Sequence, residues 1–323
     1  MHTVQIQPGG WDILVRENET ILDAVRRLGF QCPQSCRNGN CHICVAEIIQ
    51  GSINEAGRLL ASGTFYTCIA KPEGDCVVSW EGVLSADQLP EREVTAQLIS
   101  MDALGGDVQC VRLRLPAGKP IRYHAGQYLQ LQRADGEFNA YSIASAPARG
   151  REVELHVLAR ESSVKALLSD INARGSVRVR MPYGQAHVAA LPEGPLILIA
   201  AGTGMAQMHS IVEHCLAQGF AHPICVYWGG RTQDDFYALP AWDEWAAQDG
   251  LVLHKVVSEL CAWGGRCGML YEAVTEDFSE LAGVSVYASG SPRMVYGTMD
   301  ALIEQGMDEK CFFADALSYA PRS

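Results

Sequence analysis

Nine residues, Cys36-Arg37-Asn38-Gly39-Asn40-Cys41-His42-Ile43-Cys44, constrain this chain more than any other stretch. With Cys68 they form a C-x4-C-x2-C run followed by a distant fourth cysteine. That is the ligand spacing of a 2Fe-2S cluster held by four thiolates. Three of the four can reach one inorganic core only if the backbone curls around it. Gly39, lacking a Cβ, supplies the positive φ that brings amide N–H groups toward the sulfurs. Such a centre moves single electrons, so the rest of the chain is expected to hold their source. Structural zinc is the competing use, since Cys41 and Cys44 also fit half a zinc site. The four-then-two spacing with a lone distant cysteine favours iron-sulfur.

Twelve cysteines spread over 323 residues are far below the density of a stapled secreted domain. The first residues lack the basic and apolar regions of a signal peptide. A reducing, cytoplasmic setting is expected. The longest apolar run, 196–201, is much shorter than a membrane span requires. A net charge of -12 argues against non-specific nucleic-acid binding, which needs clustered Lys and Arg, and suits either docking on a basic partner surface or ordinary solubility. Cys32 reads as a packed thiol at the edge of the loop. Cys76, Cys110, Cys215, Cys225 and Cys311 read as core residues. Cys261 and Cys267 flank Trp263-Gly264-Gly265-Arg266, which reads as a loop rather than a redox pair.

In chain order, residues 1–6 and 11–15 read as a hairpin around Pro8-Gly9-Gly10. A helix capped by Thr20 and Asp23 presents Ile21, Leu22, Val25 and Leu28 on one face and closes at Gly29. Strands at 45–49 and 76–80 complete a small mixed sheet over residues 1–85, and 86–93 is a polar linker containing Pro90. Residues 94–191 carry short alternating strands at 94–99, 110–115, 128–131, 153–157 and 177–180, the pattern of an antiparallel β-barrel. From 192 to 323 strands alternate with helices: 196–201, 224–228, 251–257, 284–288 and 311–315 against helical 206–216, 241–247, 269–278 and 293–305. This predicts a parallel sheet covered on both faces. The fold class is therefore multidomain, α+β followed by α/β.

Gly202-Thr203-Gly204 lies between an apolar strand and a helix, where a dinucleotide pyrophosphate meets backbone N–H groups. The full G-x-G-x-x-G is absent because Gln207 holds the last position. A second turn, Ser289-Gly290-Ser291-Pro292, follows a later strand. Asn139-Ala140-Tyr141-Ser142-Ile143-Ala144-Ser145, preceded by Gly126-Gln127-Tyr128, resembles the R-x-Y-S-x-x-S flavin motif of the ferredoxin-NADP reductase superfamily. Residues 202–207 resemble its G-T-G-x-x-P nicotinamide motif, and Ser289 to Met294 its C-G-x-P-x-M motif. With the cluster module in front, the order is similar to the iron-sulfur flavoprotein reductases that serve benzoate and naphthalene dioxygenases and CDP-6-deoxyglucoseen formation.

The resemblance implies a β-grasp ferredoxin domain, an FAD-binding barrel and an NAD(P)H-binding domain, passing electrons from nicotinamide through flavin and cluster to a protein acceptor. It implies Cys36, Cys41, Cys44 and Cys68 as cluster ligands. It implies Tyr141 packed on the isoalloxazine, Ser142 near flavin N5, and Ser289 beside the nicotinamide. Asn139, Ser145 and the backbone of His156, Val157 and Leu158 are implied on the flavin, and Gly202, Thr203, Gly204, Gly290, Met294 and Phe313 along the nucleotide. Asn139 stands where the family has Arg, so weak flavin retention is expected. Residues 183–186, 227–231 and 313–316 also resemble NAD(P)H:flavin oxidoreductases, which release their flavin. In Gly230-Arg231-Thr232-Gln233-Asp234-Asp235, Asp235 is the candidate for a ribose hydroxyl and Arg231 for a 2′-phosphate, and NADH is favoured over NADPH. The acceptor is expected to be an oxygenase component or, alternatively, a deoxysugar dehydratase. A non-catalytic redox sensor that has lost firm flavin binding is a further alternative. His42 reads as a surface side chain, with proton-coupled tuning of the cluster as the other reading. Phe312, Phe313 and Tyr319 are candidates for an aromatic cover of the flavin, with ordinary core packing as the other reading.

Overall fold

The structure, a computed structural model, describes residues 1–85, 89–118, 121–259 and 263–322. Residues 86–88 of the expected linker and Cys261 lie outside them. The chain forms two compact units, Met1–Pro90 and Glu91–Ser323.

In the first unit β1 (His2–Gln7) and β2 (Trp11–Val15) form the expected hairpin. Helix α1 (Ile21–Arg27) starts where Thr20 Oγ1 accepts from Asp23 N, and it buries Ile21, Leu22, Ala24 and Val25. The cluster loop follows, then β3 (Val45–Gln50), β4 (Ile53–Glu55), β5 (Arg58–Leu60), β6 (Gly63–Tyr66), β7 (Ala70–Pro72) and β8 (Cys76–Ser79). One mixed sheet runs β2-β1-β8-β3-β6, and a small sheet runs β5-β4-β7. The four strands β4 to β7 are additions to the sequence reading. Three have only three residues, too short for a period of two to stand out. Phe65, Trp80 and Ile53 fill the core beneath α1.

The second unit begins with β9 (Arg92–Gly105), which takes up the end of the expected linker. Glu93 anchors it there by accepting from Arg180 Nε at 2.7 Å and pairing with Arg178. Next come β10 (Val108–Arg114), β11 (Tyr128–Gln132), β12 (Phe138–Ser142), β13 (Glu152–Leu158), α2 (Ser162–Arg174) and β14 (Ser176–Tyr183). The antiparallel order is β12-β11-β14-β9-β10-β13, and a bridge from Ile143 to Leu155 closes the barrel. Helix α2 corrects the all-strand expectation. Leu167, Leu168 and Ile171 recur at helical spacing and pack on the barrel, and Gly175 ends the helix in the left-handed region.

The nucleotide half comprises β15 (Leu196–Ala201), α3 (Met205–Ala217), β16 (Ile224–Gly230), α4 (Ala241–Ala246), β17 (Leu251–Val257), β18 (Arg266–Cys267), α5 (Leu270–Asp277), β19 (Ser285–Ser289), α6 (Pro292–Glu304), β20 (Phe312–Phe313) and α7 (Ala316–Tyr319). Its parallel sheet is ordered β18-β17-β16-β15-β19-β20. Strands β16 and β19 flank β15, so the order reverses there and opens a crevice at the C-terminal ends. The strand expected over 311–315 is only two residues long. Asp315 turns the chain away from the sheet by accepting from Gln185 N and Ala186 N at 2.8 and 3.0 Å. Cys267, on β18, is disulfide-bonded and not a free loop thiol. Among the described residues no helix is long and apolar enough to cross a membrane.

Candidate functional site

The cysteine loop is held by its own backbone. Gly39 has φ 81°, and a Cβ there would fall 2.8 Å from Ile69 Cδ1. Cys41 N–H donates to Cys36 Sγ at 3.3 Å, and Cys36 N–H to Cys41 Sγ at 3.5 Å. The exposed Cys36 thiol is pulled down to about 6, first by the Asn38 backbone N–H and then by Cys41. A thiolate prepared in this way is what a metal requires. Cys68, from the other segment, is buried and pushed up to about 11 by desolvation and then by the Cys44 thiol. Thr67 joins the two segments, since its N–H and Oγ1–H both donate to Cys44 O, at 3.1 and 3.0 Å. Four soft donors around curled backbone with inward N–H groups fit a 2Fe-2S cluster. His42 is exposed but is not a free surface side chain, because its Nδ1 is hydrogen-bonded to Tyr66 Oη at 2.7 Å.

In the second unit a cleft of about 430 Å³ opens at the sheet crevice. The barrel lines it with Tyr128, Ala140, Tyr141 and Ser142. The nucleotide half contributes Gln207, Ala288, Ser289, Gly290, Asp315, Ala316 and Tyr319. Tyr141, Ser142, Ser289 and Gly290, expected on opposite sides of a flavin and a nicotinamide, thus share one cavity. Tyr141 Oη is buried without a hydrogen-bond partner of good geometry, and desolvation raises its pKa. An orphaned phenol at the wall of a cavity fits a polar cofactor that supplies the missing partner.

Gly202-Thr203-Gly204 forms a 3₁₀ turn feeding α3. A Cβ at Gly204 would sit 2.5 Å from Ser289 O, so the two glycine turns touch, and no larger residue fits between them. Ser291 Oγ caps α6 by accepting from Met294 N, and Met294 lies against Gly290. Gln207, the departure from the dinucleotide motif, ties the halves together. Its Nε2 donates to Gly126 O and Ala186 O, both at 2.9 Å. Asp315 beside it is raised in pKa by burial, against the pull of the two backbone donors.

Other expected contacts are placed differently. Ser145 is fully buried, and its Oγ already meets Tyr123 Oη and Glu154 N–H. The His156 side chain is bonded to Tyr237 Oη at 2.9 Å and Glu154 Oε1 at 3.2 Å, which leaves only the backbone of this residue for a ligand. Val157 is buried in the barrel core and Leu158 ends β13. Asn139 lies on β12 opposite Leu131. Phe313 stacks on Tyr287 at 4.8 Å and Phe312 is buried, so of the three expected covers Tyr319 alone lines the cleft. Asp235 folds back on its own turn, with Oδ2 accepting from Arg231 N and Thr232 N and Oδ1 facing Arg160. Arg231 and Asp234 are the exposed charges there.

Beyond the expected residues, the outer face of β10 and β13 carries a polar network under α3. Cys110, Glu154 and His156 lie together. Arg112 and Arg149 pair with Glu154 at 2.9 and 3.3 Å, Arg149 also pairs with Glu213, and His209 Nδ1 donates to Ala144 O at 2.7 Å. Two guanidinium groups on its one carboxylate make this trio a poor cation site. It is a latch between the barrel and the nucleotide half. Cross-strand pairing of Arg112 with Glu154 and of Cys110 with His156 was its sequence signal, and it needs the register to be read.

A family model for a 2Fe-2S iron-sulfur cluster binding domain matches residues 4–73. Models for an oxidoreductase FAD-binding domain and an oxidoreductase NAD-binding domain match 95–188 and 198–300. Over 323 residues the chain is 30% identical to the CDP-6-deoxy-L-threo-D-glycero-4-hexulose-3-dehydrase reductase of Yersinia pestis, covering 97% of each. It is 27% identical over 324 residues to the reductase component of the naphthalene 1,2-dioxygenase system of Pseudomonas putida, covering 96% of this chain and 97% of that one. A crystal structure of a cytochrome P450 reductase from Amycolatopsis matches with a TM-score of 0.68 at 26% identity, covering 98% of both chains. The chain belongs to the family of NAD(P)H-dependent iron-sulfur flavoprotein reductases, in which one polypeptide carries 2Fe-2S, FAD-binding and NAD-binding domains.

Proposed function

We propose that this reductase takes hydride electrons from NADH at the cleft between Tyr141-Ser142 and Ser289-Gly290, and delivers them singly through a cluster on Cys36, Cys41, Cys44 and Cys68 to a protein acceptor. The observation that carries the reading is the shared cavity of the two motif pairs, with an orphaned phenol on its wall. A bound flavin supplies the conversion of a two-electron hydride into single electrons. The chain positions it. Tyr141 would offer it a ring face and a buried hydroxyl near the Asn139 side chain, Ser142 would offer a hydroxyl, and the close approach of Gly204 to the Ser289 turn would leave room for a nicotinamide beside it. The first turn of α3 presents N–H groups to the pyrophosphate. Asn139 offers neutral donors where a charged fork would hold phosphate, so FAD is retained weakly.

The acceptor is an oxygenase component, with a deoxysugar dehydratase as the alternative. Reductases named for both systems are similar to this chain end to end. With Asp235 engaged by its own turn, exposed Asp234 is the carboxylate left to favour a ribose hydroxyl. NADH-driven reduction of cytochrome c is expected to rise several-fold on adding FAD to dialysed protein, with kcat/KM for NADH above that for NADPH. No turnover with or without FAD contradicts the enzymatic reading, and a preference for NADPH contradicts the choice of nucleotide.

A further inference from the structure

Two residues of the cluster loop that are not glycine sit in the left-handed region, Arg37 and His42, each with φ 60°. An L residue there crowds its Cβ against the following carbonyl oxygen, so the conformation carries a cost that contacts outside the loop can offset. Both residues have such a hold. The Arg37 guanidinium pairs with Asp23 in the first turn of α1. His42 Nδ1 meets Tyr66 Oη at 2.7 Å, with the rings edge-on at 4.9 Å and 66°. The backbone that carries this phenol is itself held, because Tyr66 N–H donates to Glu55 Oε1 at 2.7 Å.

The second hold joins the two cysteine-bearing segments. His42 lies between Cys41 and Cys44, and Tyr66 lies two residues before Cys68. The bond therefore spans the gap that four ligands must keep constant. Thr67 makes the neighbouring tie on the buried side through Cys44 O, and Tyr66 makes one on the exposed side. A hydrogen bond next to solvent opens more readily than a buried one, so this tie is the first to yield as the loop lifts, and its loss lowers the total cost of opening.

We propose that Tyr66 and His42 form a clamp that fixes Cys68 against the loop ligands, with Tyr66 a positioning residue for cluster retention. The proposal rests on the assignment of the four cysteines as ligands. It explains how a histidine is tolerated at a left-handed position that glycine would fill without strain. The same logic predicts that glycine at 42 makes the clamp dispensable.

The test uses the full-length holoprotein and the variants Tyr66→Phe, His42→Gly and the double variant. Iron release to a ferrous chelator is timed alongside visible circular dichroism and low-temperature EPR of the reduced cluster. Tyr66→Phe keeps the ring and loses only the hydroxyl, so folding is preserved. It is expected to release iron roughly three- to tenfold faster, with a shifted dichroism band. His42→Gly is expected to stay within about twofold of wild type, and Tyr66→Phe is expected to add nothing in that background. Unchanged release in Tyr66→Phe, or an equal acceleration in the His42→Gly background, overturns the clamp. Wild-type protein without 2Fe-2S absorption overturns the ligand assignment itself and takes the clamp with it.

Discussion

Replacing Cys44 by serine is expected to remove the cluster and lower NADH-driven cytochrome c reduction on the order of 100-fold, while NADH-driven ferricyanide reduction stays within about twofold. Of the four proposed ligands Cys44 is the one to choose because it is buried and its carbonyl accepts from Thr67, next to Cys68. A serine hydroxyl is close in size, so Thr67 keeps its bonds to the Cys44 carbonyl and the β-grasp keeps its core. The loss is one of chemistry. A hard, protonated hydroxyl does not replace a soft thiolate on iron. The two acceptors report different exits. Ferricyanide is small enough to take electrons at the cleft between Tyr141 and Ser289, whereas a protein acceptor depends on the cluster. Optical spectra of the purified variant check for cluster loss, and equal losses with both acceptors contradict the separation of entry from exit.

Replacing Glu154 by alanine is the second large effect. It is expected to destabilise the flavin and nucleotide unit by about 3 kcal/mol, lowering its Tm by roughly 6–12 °C in differential scanning calorimetry. Burial alone raises a carboxyl's pKa, but bonds from His156 and Arg112 hold Glu154 far below the usual carboxylate range. Removing it takes one ion pair from each of two arginines and one bond from the His156 ring, while the pairs Arg112 keeps with Asp102 and Arg149 with Glu213, and the partial exposure of both arginines, keep the figure from being larger. The sign of the pH dependence follows. A carboxylate with a depressed folded pKa contributes stability that is complete above its unfolded value of about 4.3 and is lost as pH falls toward the folded one. His209 acts in the same direction, since burial lowers its pKa and keeps it neutral. Its contribution begins to fade below the unfolded value of about 6.5. Acid is therefore expected to loosen this latch first through His209, then through Glu154. Glu154→Gln is expected to flatten Tm against pH below about 4.3, and an unchanged acid limb contradicts the role given to this carboxylate.

The latch also shows what sequence reading reached and what it did not. The cluster loop, the strand-helix alternation from Leu196 and the two glycine turns were legible because each is local. A spacing of cysteines, a period or a turn residue carries its meaning within a dozen positions. Tyr141, Ser142, Ser289 and Gly290 were legible as motif members, and the cleft places them together. Glu154 was missed, and His156 was read only for its backbone. Their environment comes from Arg149, His209 and Tyr237, which lie 5 to 81 residues away in the chain. Asp235 looked like a ribose ligand because a carboxylate after the second strand often is one. Its capping of Arg231 N and Thr232 N is a property of the turn's geometry. Asp315 sat inside an apparent strand until its two backbone donors, 130 and 129 residues upstream, became visible. Helix α2 went unread although Leu167, Leu168 and Ile171 repeat at helical spacing.

The central claim is that one chain accepts hydride at the Tyr141 to Ser289 cleft and stores single electrons at the four cysteines. Anaerobic titration of FAD-saturated protein with NADH, followed by visible absorption and EPR, tests it most directly. The expected result is bleaching of both flavin and cluster with uptake of about three electrons per chain, two at the flavin and one at the cluster, and an EPR signal of a reduced 2Fe-2S centre. A flavin that bleaches while the cluster stays oxidised, with no such signal, contradicts it.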